Sequence, residues 1–135
     1  MIRVGLLGTG RIGSLHAENI ASHRESTLSA VSDINDEIAN KLAAQYGAIV
    51  KSADEIISDP NIDAVLIATS TVTHSDFIEK AAAAGKAILC EKPVDLNLKR
   101  AKECLEKVSS ANNSIMTGFN RRFDPNFTQL KESLD

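Results

Sequence analysis

Gly8-Thr9-Gly10-Arg11-Ile12-Gly13 constrains this chain more than any other stretch, because it joins the apolar run Ile2 to Leu7 directly to a stretch of helical period. A GxGxxG string alone is a weak signal, but between a strand and a helix it specifies a sharp turn with an unobstructed backbone. Gly8 permits the tight turn, Gly10 lets a pyrophosphate approach the backbone, and Gly13 lets the helix lie close on the strand. At the helix start the N–H groups around Arg11, Ile12 and Gly13 then face the phosphates with the favourable end of the helix dipole. This is a cradle for a dinucleotide. The alternative is a glycine-rich strand-to-helix turn that holds no ligand.

Beyond this turn, β-branched apolar runs keep alternating with stretches of helical period, which reads as βαβα and therefore as a parallel sheet covered by helices. Strands are expected near Ile2 to Leu7, Leu28 to Ser32, Ala48 to Val50, Ala64 to Ala68, Ala87 to Cys90 and Ser114 to Thr117. Helices are expected from Arg11 to about Ser22, Asp36 to Tyr46, Ala53 to Ser58, Thr73 to Ala84 and Leu96 to Val108. Gly47 and Gly85 stand where helix-terminating glycines belong, and Asp95 is placed to cap the fifth helix. The fold class is thus α/β: a doubly wound, parallel, six-stranded Rossmann sheet with helices on both faces.

The chain has 135 residues, 43% of them hydrophobic, which suits one globular core. Its 15 basic and 18 acidic residues give a net charge of −3, and Trp is absent, so a nucleic-acid surface is not expected. No apolar run approaches the roughly 20 residues needed to span a bilayer, and no membrane partner is expected. Cys90 and Cys104 form neither a metal-ligand spacing nor a disulfide framework, so no metal is expected and a reducing cytoplasm is the default.

Asp33 follows Gly13 by 20 residues and ends the second expected strand, where the dinucleotide fingerprint places an acid that accepts from the adenosine ribose hydroxyls. With no Arg or Lys beside it to welcome a 2′-phosphate, NAD is the expected cofactor in preference to NADP. Its other reading is a cap for the helix starting near Asp36. Ser70 and Thr71 leave the fourth strand at the carboxyl edge of the sheet, where their hydroxyls can reach ribose or phosphate. Thr73 and His74 read equally as a helix cap and an ordinary first-turn residue. Glu91-Lys92-Pro93 follows the fifth strand into the same crevice, and an ammonium there can stabilise a developing alkoxide. On its own, such a tripeptide is also an ordinary solvated turn.

Taken together, Gly8 to Ala17, Asp33, Thr71-Val72-Thr73-His74, Ala84-Gly85-Lys86 and Glu91-Lys92-Pro93 resemble the Gfo/Idh/MocA oxidoreductases. Gly118-Phe119-Asn120-Arg121-Arg122-Phe123-Asp124 resembles the inositol 2-dehydrogenase branch of that family. The resemblance runs over the whole chain but covers only the first of the family's two domains. It implies residues 1–120 as the dinucleotide-binding domain and 121–135 as the start of a crossover to a substrate domain this chain lacks. It further implies oxidation of a secondary alcohol on a cyclic polyol or sugar, with hydride passing to NAD. By the same resemblance Glu91 contacts the nicotinamide end, Lys92 acts on the reacting oxygen as catalytic and substrate-binding residue, and Arg122 borders the substrate. The family's acid/base histidine has no counterpart among His16, His23 and His74, so His16 and His23 are read as ordinary helix residues, and the chain alone is expected to be inactive. A stand-alone NAD-binding or redox-sensing module is the alternative, opposed by the retention of Lys92 and Arg122. A methyltransferase using the same glycine turn is disfavoured by Glu91-Lys92-Pro93.

The chain's end carries a separate signal. Phe119, Phe123 and Phe127 are three of the five aromatics, and Phe127, Leu130 and Leu134 share a helical face. Either this terminal helix packs back on the domain, or it leads toward a partner surface and favours self-association through its apolar face.

Overall fold

The computed structural model describes residues 1–109 and 113–134. Its strands are β1 (Ile2–Leu7), β2 (Ser26–Ser32), β3 (Ile49–Val50), β4 (Ala64–Ile67), β5 (Ala87–Cys90) and β6 (Ile115–Thr117). The helices are α1 (Arg11–Ser22), α2 (Asp36–Tyr46), α3 (Ala53–Ser58), α4 (His74–Ala83), α5 (Leu98–Ser109) and α6 (Pro125–Glu132). The strands form one sheet in the order β3-β2-β1-β4-β5-β6, all pairs parallel. The order reverses between β1 and β4, so the connections leaving those strands diverge and open a crevice at their carboxyl ends.

Successive strand residues point to opposite faces, and here both faces are buried. Val4, Leu6, Leu28, Val31 and Leu66 meet Ala17 and Ile20 of α1 and Ala39, Leu42 and Ala43 of α2. On the other face Leu7, Val65, Ile67, Ile88 and Cys90 meet Ile56 and Ile57 of α3, Ile78, Ala81 and Ala82 of α4, and Cys104 and Val108 of α5. This alternation fixes the register: Leu7 ends β1 inside the core, and Gly8 is the first residue free to turn.

Several boundaries differ from the sequence expectation. β2 begins at Ser26, two residues early, because Ile2 and Arg3 of β1 pair with Ser26 and Thr27, polar residues recruited by a neighbouring strand. β3, β4 and β6 are each one residue shorter than expected. Asp95 is not the cap of α5. That role falls to Asn97, whose Oδ1 accepts from the N–H groups of Lys99 at 2.9 Å and Arg100 at 3.3 Å, while Asp95 accepts from the N–H of Asn97 and the hydroxyl of Ser75, both at 2.8 Å. The helix therefore starts at Leu98 instead of Leu96. Gly47 and Gly85 do follow helices, at φ of 70° and 74°.

After β6, a 3-10 turn (Asn120–Phe123) leads into α6, which is exposed along its whole length. Its first turn is held by the Asp124 carboxylate accepting from the Asn126 N–H at 2.8 Å and by the Arg121 guanidinium 4.9 Å from the centre of the Phe127 ring. The Phe127 and Leu130 face is 42% and 56% exposed, and Leu134 lies in a turn beyond the helix. The reading in which this helix packs back on the domain is thus corrected: it stands away from the core. Asp135 lies outside the described residues.

Candidate functional site

Three glycines shape the turn between β1 and α1, and they do so for different reasons. Gly8 has φ of 92°, and a Cβ there would strike the Ala68 carbonyl. A Cβ on Gly13 would strike the carbonyl of Gly8. Both are required by the fold itself. Gly10 is extended at φ −64° and ψ −168°, and a Cβ on it would meet no atom within 4 Å. Nothing inside the chain explains its lack of a side chain. Gly10 lines a crevice of about 740 Å³ at the carboxyl ends of β1 to β4, together with Gly8, Asp33, Ala68, Ser70 and Thr73. As the cap residue of α1 it supplies no side-chain acceptor, and no acid lies in the first turn, so the opening N–H groups are left for an outside anion. The residues therefore fit a dinucleotide: a bare backbone where phosphates approach and an acid at the ribose position. Arg11 and Ile12, expected at the cofactor, line a different groove, between α1 and α2, and are not among the residues that line the crevice.

Asp33 sits just past β2 and ties the glycine turn to the neighbouring strand. Its Oδ2 accepts from the N–H of Thr9 at 2.6 Å and the Thr9 hydroxyl at 2.9 Å, and its Oδ1 accepts from the Asn35 N–H at 2.9 Å. Burial works against its charge, but these hydrogen bonds outweigh it and hold the carboxyl below its ordinary value. Asp33 is not the cap of α2, because Asn35 takes that place, accepting from Glu37 and Ile38 N–H groups. Oδ2 is thus filled by Thr9, and Oδ1 retains acceptor capacity. Lys51, which sequence reasoning did not single out, also lines it, and its ammonium is held 2.6 Å from Asp59. No local motif signals Lys51; the pairing of β3 with β2 brings it there.

Beyond β4, Ser70 lines the crevice, while Thr71 opens a 3-10 turn (Thr71–Thr73) and is not among its lining residues. Thr73 stands at the N-cap position of α4, as expected, but its hydroxyl caps no helix N–H; it lies 2.8 Å from that of Thr69 and donates to the Ser70 carbonyl. His74 is no ordinary first-turn residue either. It is 1% exposed, with Nδ1 2.8 Å from the Pro93 carbonyl and Nε2 3.1 Å from that of Thr69, so one ring ties the loop after β4 to the loop after β5.

The second group of residues follows β5 and β6. Lys92 and Arg122 line one cavity of about 610 Å³ with Phe119, Asn120 and Arg121. Among the described residues neither Lys92 nor Arg122 is held by a carboxylate. The tertiary structure thus gathers two cations from separate strand ends around one space at the carboxyl edge of the sheet. Glu91 is not among the residues that line that cavity, and its Oε1 lies 2.9 Å from Nε2 of His16 on α1. His16 therefore has a partner in the site, which its reading as an ordinary helix residue missed. Burial pushes the Cys90 thiol up to about 12, so it is a packed side chain and not a reactive thiolate. Lys86, part of the family resemblance, is structural: its ammonium donates to the carbonyls of Asp59 and Ile62.

The fold and this site define a dinucleotide-binding domain of the doubly wound α/β class, with a polar cavity beside the strand ends that follow the crevice. The profile of an oxidoreductase family with an NAD-binding Rossmann fold matches residues 2–119, and the chain belongs to that family, Gfo/Idh/MocA. It is 46% identical over 134 residues to an inositol 2-dehydrogenase of Rhizobium meliloti, covering 99% of this chain and 41% of that protein. It is 41% identical over 137 residues to a scyllo-inositol 2-dehydrogenase (NAD(+)) of Bacillus subtilis, covering 99% and 40%. The crystal structure of a myo-inositol dehydrogenase from Lactobacillus casei in complex with NAD(H) and myo-inositol superposes with a TM-score of 0.92 at 31% identity, covering all of this chain and 41% of that one. The chain thus spans about two fifths of the length of the relatives it matches.

Proposed function

We propose that this protein is the NAD-binding part of a dehydrogenase that oxidises a secondary alcohol of a cyclic polyol, with an inositol as the substrate class. The observation that carries the reading is the meeting of Lys92 and Arg122 in one cavity at the same edge of the sheet as the Gly10 cradle. A binding or sensing module has no need for two uncommitted cations beside its cofactor. When bound, NAD supplies the hydride acceptor. The chain's own residues bind and orient: the α1 N-terminus holds phosphate, Asp33 accepts from the ribose and repels a 2′-phosphate, and Ser70 adds a hydroxyl to the same crevice. The Lys92 ammonium donates to the reacting oxygen and stabilises its developing charge, and Arg122 donates to neighbouring hydroxyls.

No residue here serves as proton acceptor in this reading. His74 is enclosed between two carbonyls, His16 is engaged with Glu91, and His23 lies at the far end of α1. The base therefore comes from the length of the relatives that this chain does not span, and residues 121–135 begin the passage toward it. Cys90 and Cys104, both free and buried, support a reducing cytoplasm as the setting. The test is a pair of measurements. Calorimetry on the chain should show NAD binding tighter than NADP. In an enzyme carrying the remaining length, Lys92→Met should lower turnover with inositol by about 10²-fold or more while NAD affinity changes little. Near-normal turnover in that variant would reduce Lys92 to a turn residue and leave the stand-alone binding module as the better reading.

A further inference from the structure

Glu91 follows β5, and groups from α1, from the next residue and from the end of β6 meet at its carboxylate. His16 Nε2 lies 2.9 Å from Oε1, and the Lys92 N–H donates to Oε2 at 3.2 Å. At the end of β6, a Cβ built on Gly118 would lie 3.3 Å from each of the Glu91 carboxyl carbon and oxygens, so the glycine lets that strand end close over the carboxylate. The two partners of the pair are matched in burial, with 20% of the His16 side chain and 21% of the Glu91 side chain exposed. A surface pair would cost rotamer freedom for little return; this one is largely shielded and fixed on regular elements, where a charge-assisted hydrogen bond is strong and directional.

The geometry points to His16 as a positioning residue for the nicotinamide half of the cofactor: by holding Oε1 of Glu91, it sets the direction in which that carboxylate presents its remaining acceptor capacity. The inference rests on the proposed function together with the family resemblance, which implies that Glu91 contacts the nicotinamide end. It also gives α1 two tasks. The first turn of the helix meets the phosphates, and the next turn, through His16, reaches the far side of the switch point and aligns the residue after β5. The helix thereby ties the two halves of the cofactor site to one rigid body.

The experiment compares two ligands on the 135-residue chain. ADP-ribose contains the adenosine and pyrophosphate but no nicotinamide, so it uses the cradle and Asp33 without Glu91. Calorimetric titrations of NAD and ADP-ribose are made on the unmodified chain and on the His16→Leu and His16→Gln variants, with thermal midpoints recorded for each. His16→Leu is expected to weaken NAD by about 10-fold, within the range for loss of a hydrogen bond to a charged group, while ADP-ribose affinity stays within about 2-fold. His16→Gln, whose amide N–H₂ can donate to Glu91 as Nε2 does, should recover most of the NAD affinity. Equal weakening of both ligands, no weakening of either, or an amide variant no better than His16→Leu would each overturn the positioning role while leaving the dinucleotide reading intact. Failure of the unmodified chain to bind ADP-ribose would overturn the dinucleotide reading itself, and this inference with it.

Discussion

Asp33 carries two loads, since the carboxylate that faces the ribose position also pins the glycine turn through Thr9. Asp33→Ala should weaken NAD by roughly 10- to 150-fold, the equivalent of about 1.5 to 3 kcal/mol for a hydrogen bond to a charged group, and should narrow the preference over NADP. Comparative titration of both cofactors checks this. Its pH behaviour follows from the direction of its shift. The folded carboxyl is held below its ordinary value, so its contribution to stability is complete above the unfolded value of about 4 and is lost as pH falls through the folded one. Asp33→Asn should therefore flatten part of the acid limb of a thermal-midpoint profile below about pH 4. The remainder of that limb comes from groups such as Asp63, which the Arg3 guanidinium also holds down. The glycines separate in the same way. Gly13→Ala should destabilise by about 1 to 3 kcal/mol, because its Cβ would strike the Gly8 carbonyl. Gly10→Ala should change stability by less than about 0.5 kcal/mol yet weaken NAD by about 10-fold or more, roughly 1.4 kcal/mol. Denaturant unfolding and calorimetry together distinguish the two.

The helices of this domain are started in more than one way, and the start decides what each N-terminus can do. α2 and α5 are closed by the asparagines Asn35 and Asn97, and α3 by a reciprocal Ser52 and Glu55 capping box. α1 begins on a bare glycine with neither a side-chain cap nor an acid in its first turn, and stays open to a ligand. Asn97→Ala should cost about 1 kcal/mol by removing the acceptor for the Lys99 and Arg100 N–H groups, read as a lower urea midpoint with an unchanged slope. α5 is also fastened to α4 by Arg100 between Asp76 and Glu79 and by Lys107 on Glu79. The Arg100–Asp76 and Lys107–Glu79 pairs each have one well-exposed partner and are worth little singly, whereas Arg100–Glu79 is more shielded, so the cap is the cleaner position to test. His74 joins the elements on the other side of the crevice. Holding the loops after β4 and β5 together, it sets where Lys92 emerges relative to Ser70, a role that its place in the family's Thr71 to His74 motif does not by itself reveal.

At the scale of the whole molecule, cover is uneven. α1 and α2 lie over β1 to β3, but on the same side a shallow apolar cavity of about 580 Å³ remains over β4 to β6, lined by Val4, Leu66, Leu89 and Met116 among others. Met116 is 47% exposed there. With the Phe127 and Leu130 face of α6 also uncovered, the described residues expose two apolar surfaces. The 135-residue chain is expected to self-associate with rising concentration in sedimentation velocity, and Met116→Glu combined with Leu130→Lys should suppress this. It is also expected to bind NAD without sustained NADH production from myo-inositol. Positioning of reactants can contribute about 7 to 11 kcal/mol in well-oriented systems, and in the proposed reading the chain supplies only the cofactor side of that arrangement. An absorbance assay at saturating NAD checks the point, and steady polyol-dependent turnover would refute it.

The doubly wound fold was legible in the sequence because its causes are local or periodic: apolar runs that alternate with helical stretches, and a glycine turn whose Gly8 and Gly13 leave the backbone little choice. Asp33 and the Glu91-Lys92-Pro93 turn were legible for a related reason, since a fixed distance after a strand places a residue at the carboxyl edge of a parallel sheet. What sequence distance could not show was which strand ends become neighbours. The order β3-β2-β1-β4-β5-β6 brings Lys51 beside the Asp33 crevice, Lys92 beside Arg122, and His16 of α1 against Glu91, which lies 75 residues further along the chain. Those contacts arise from packing across the switch point, where no local pattern records them, so the chemistry of single residues was set by the sequence and their pairing was decided by the tertiary structure.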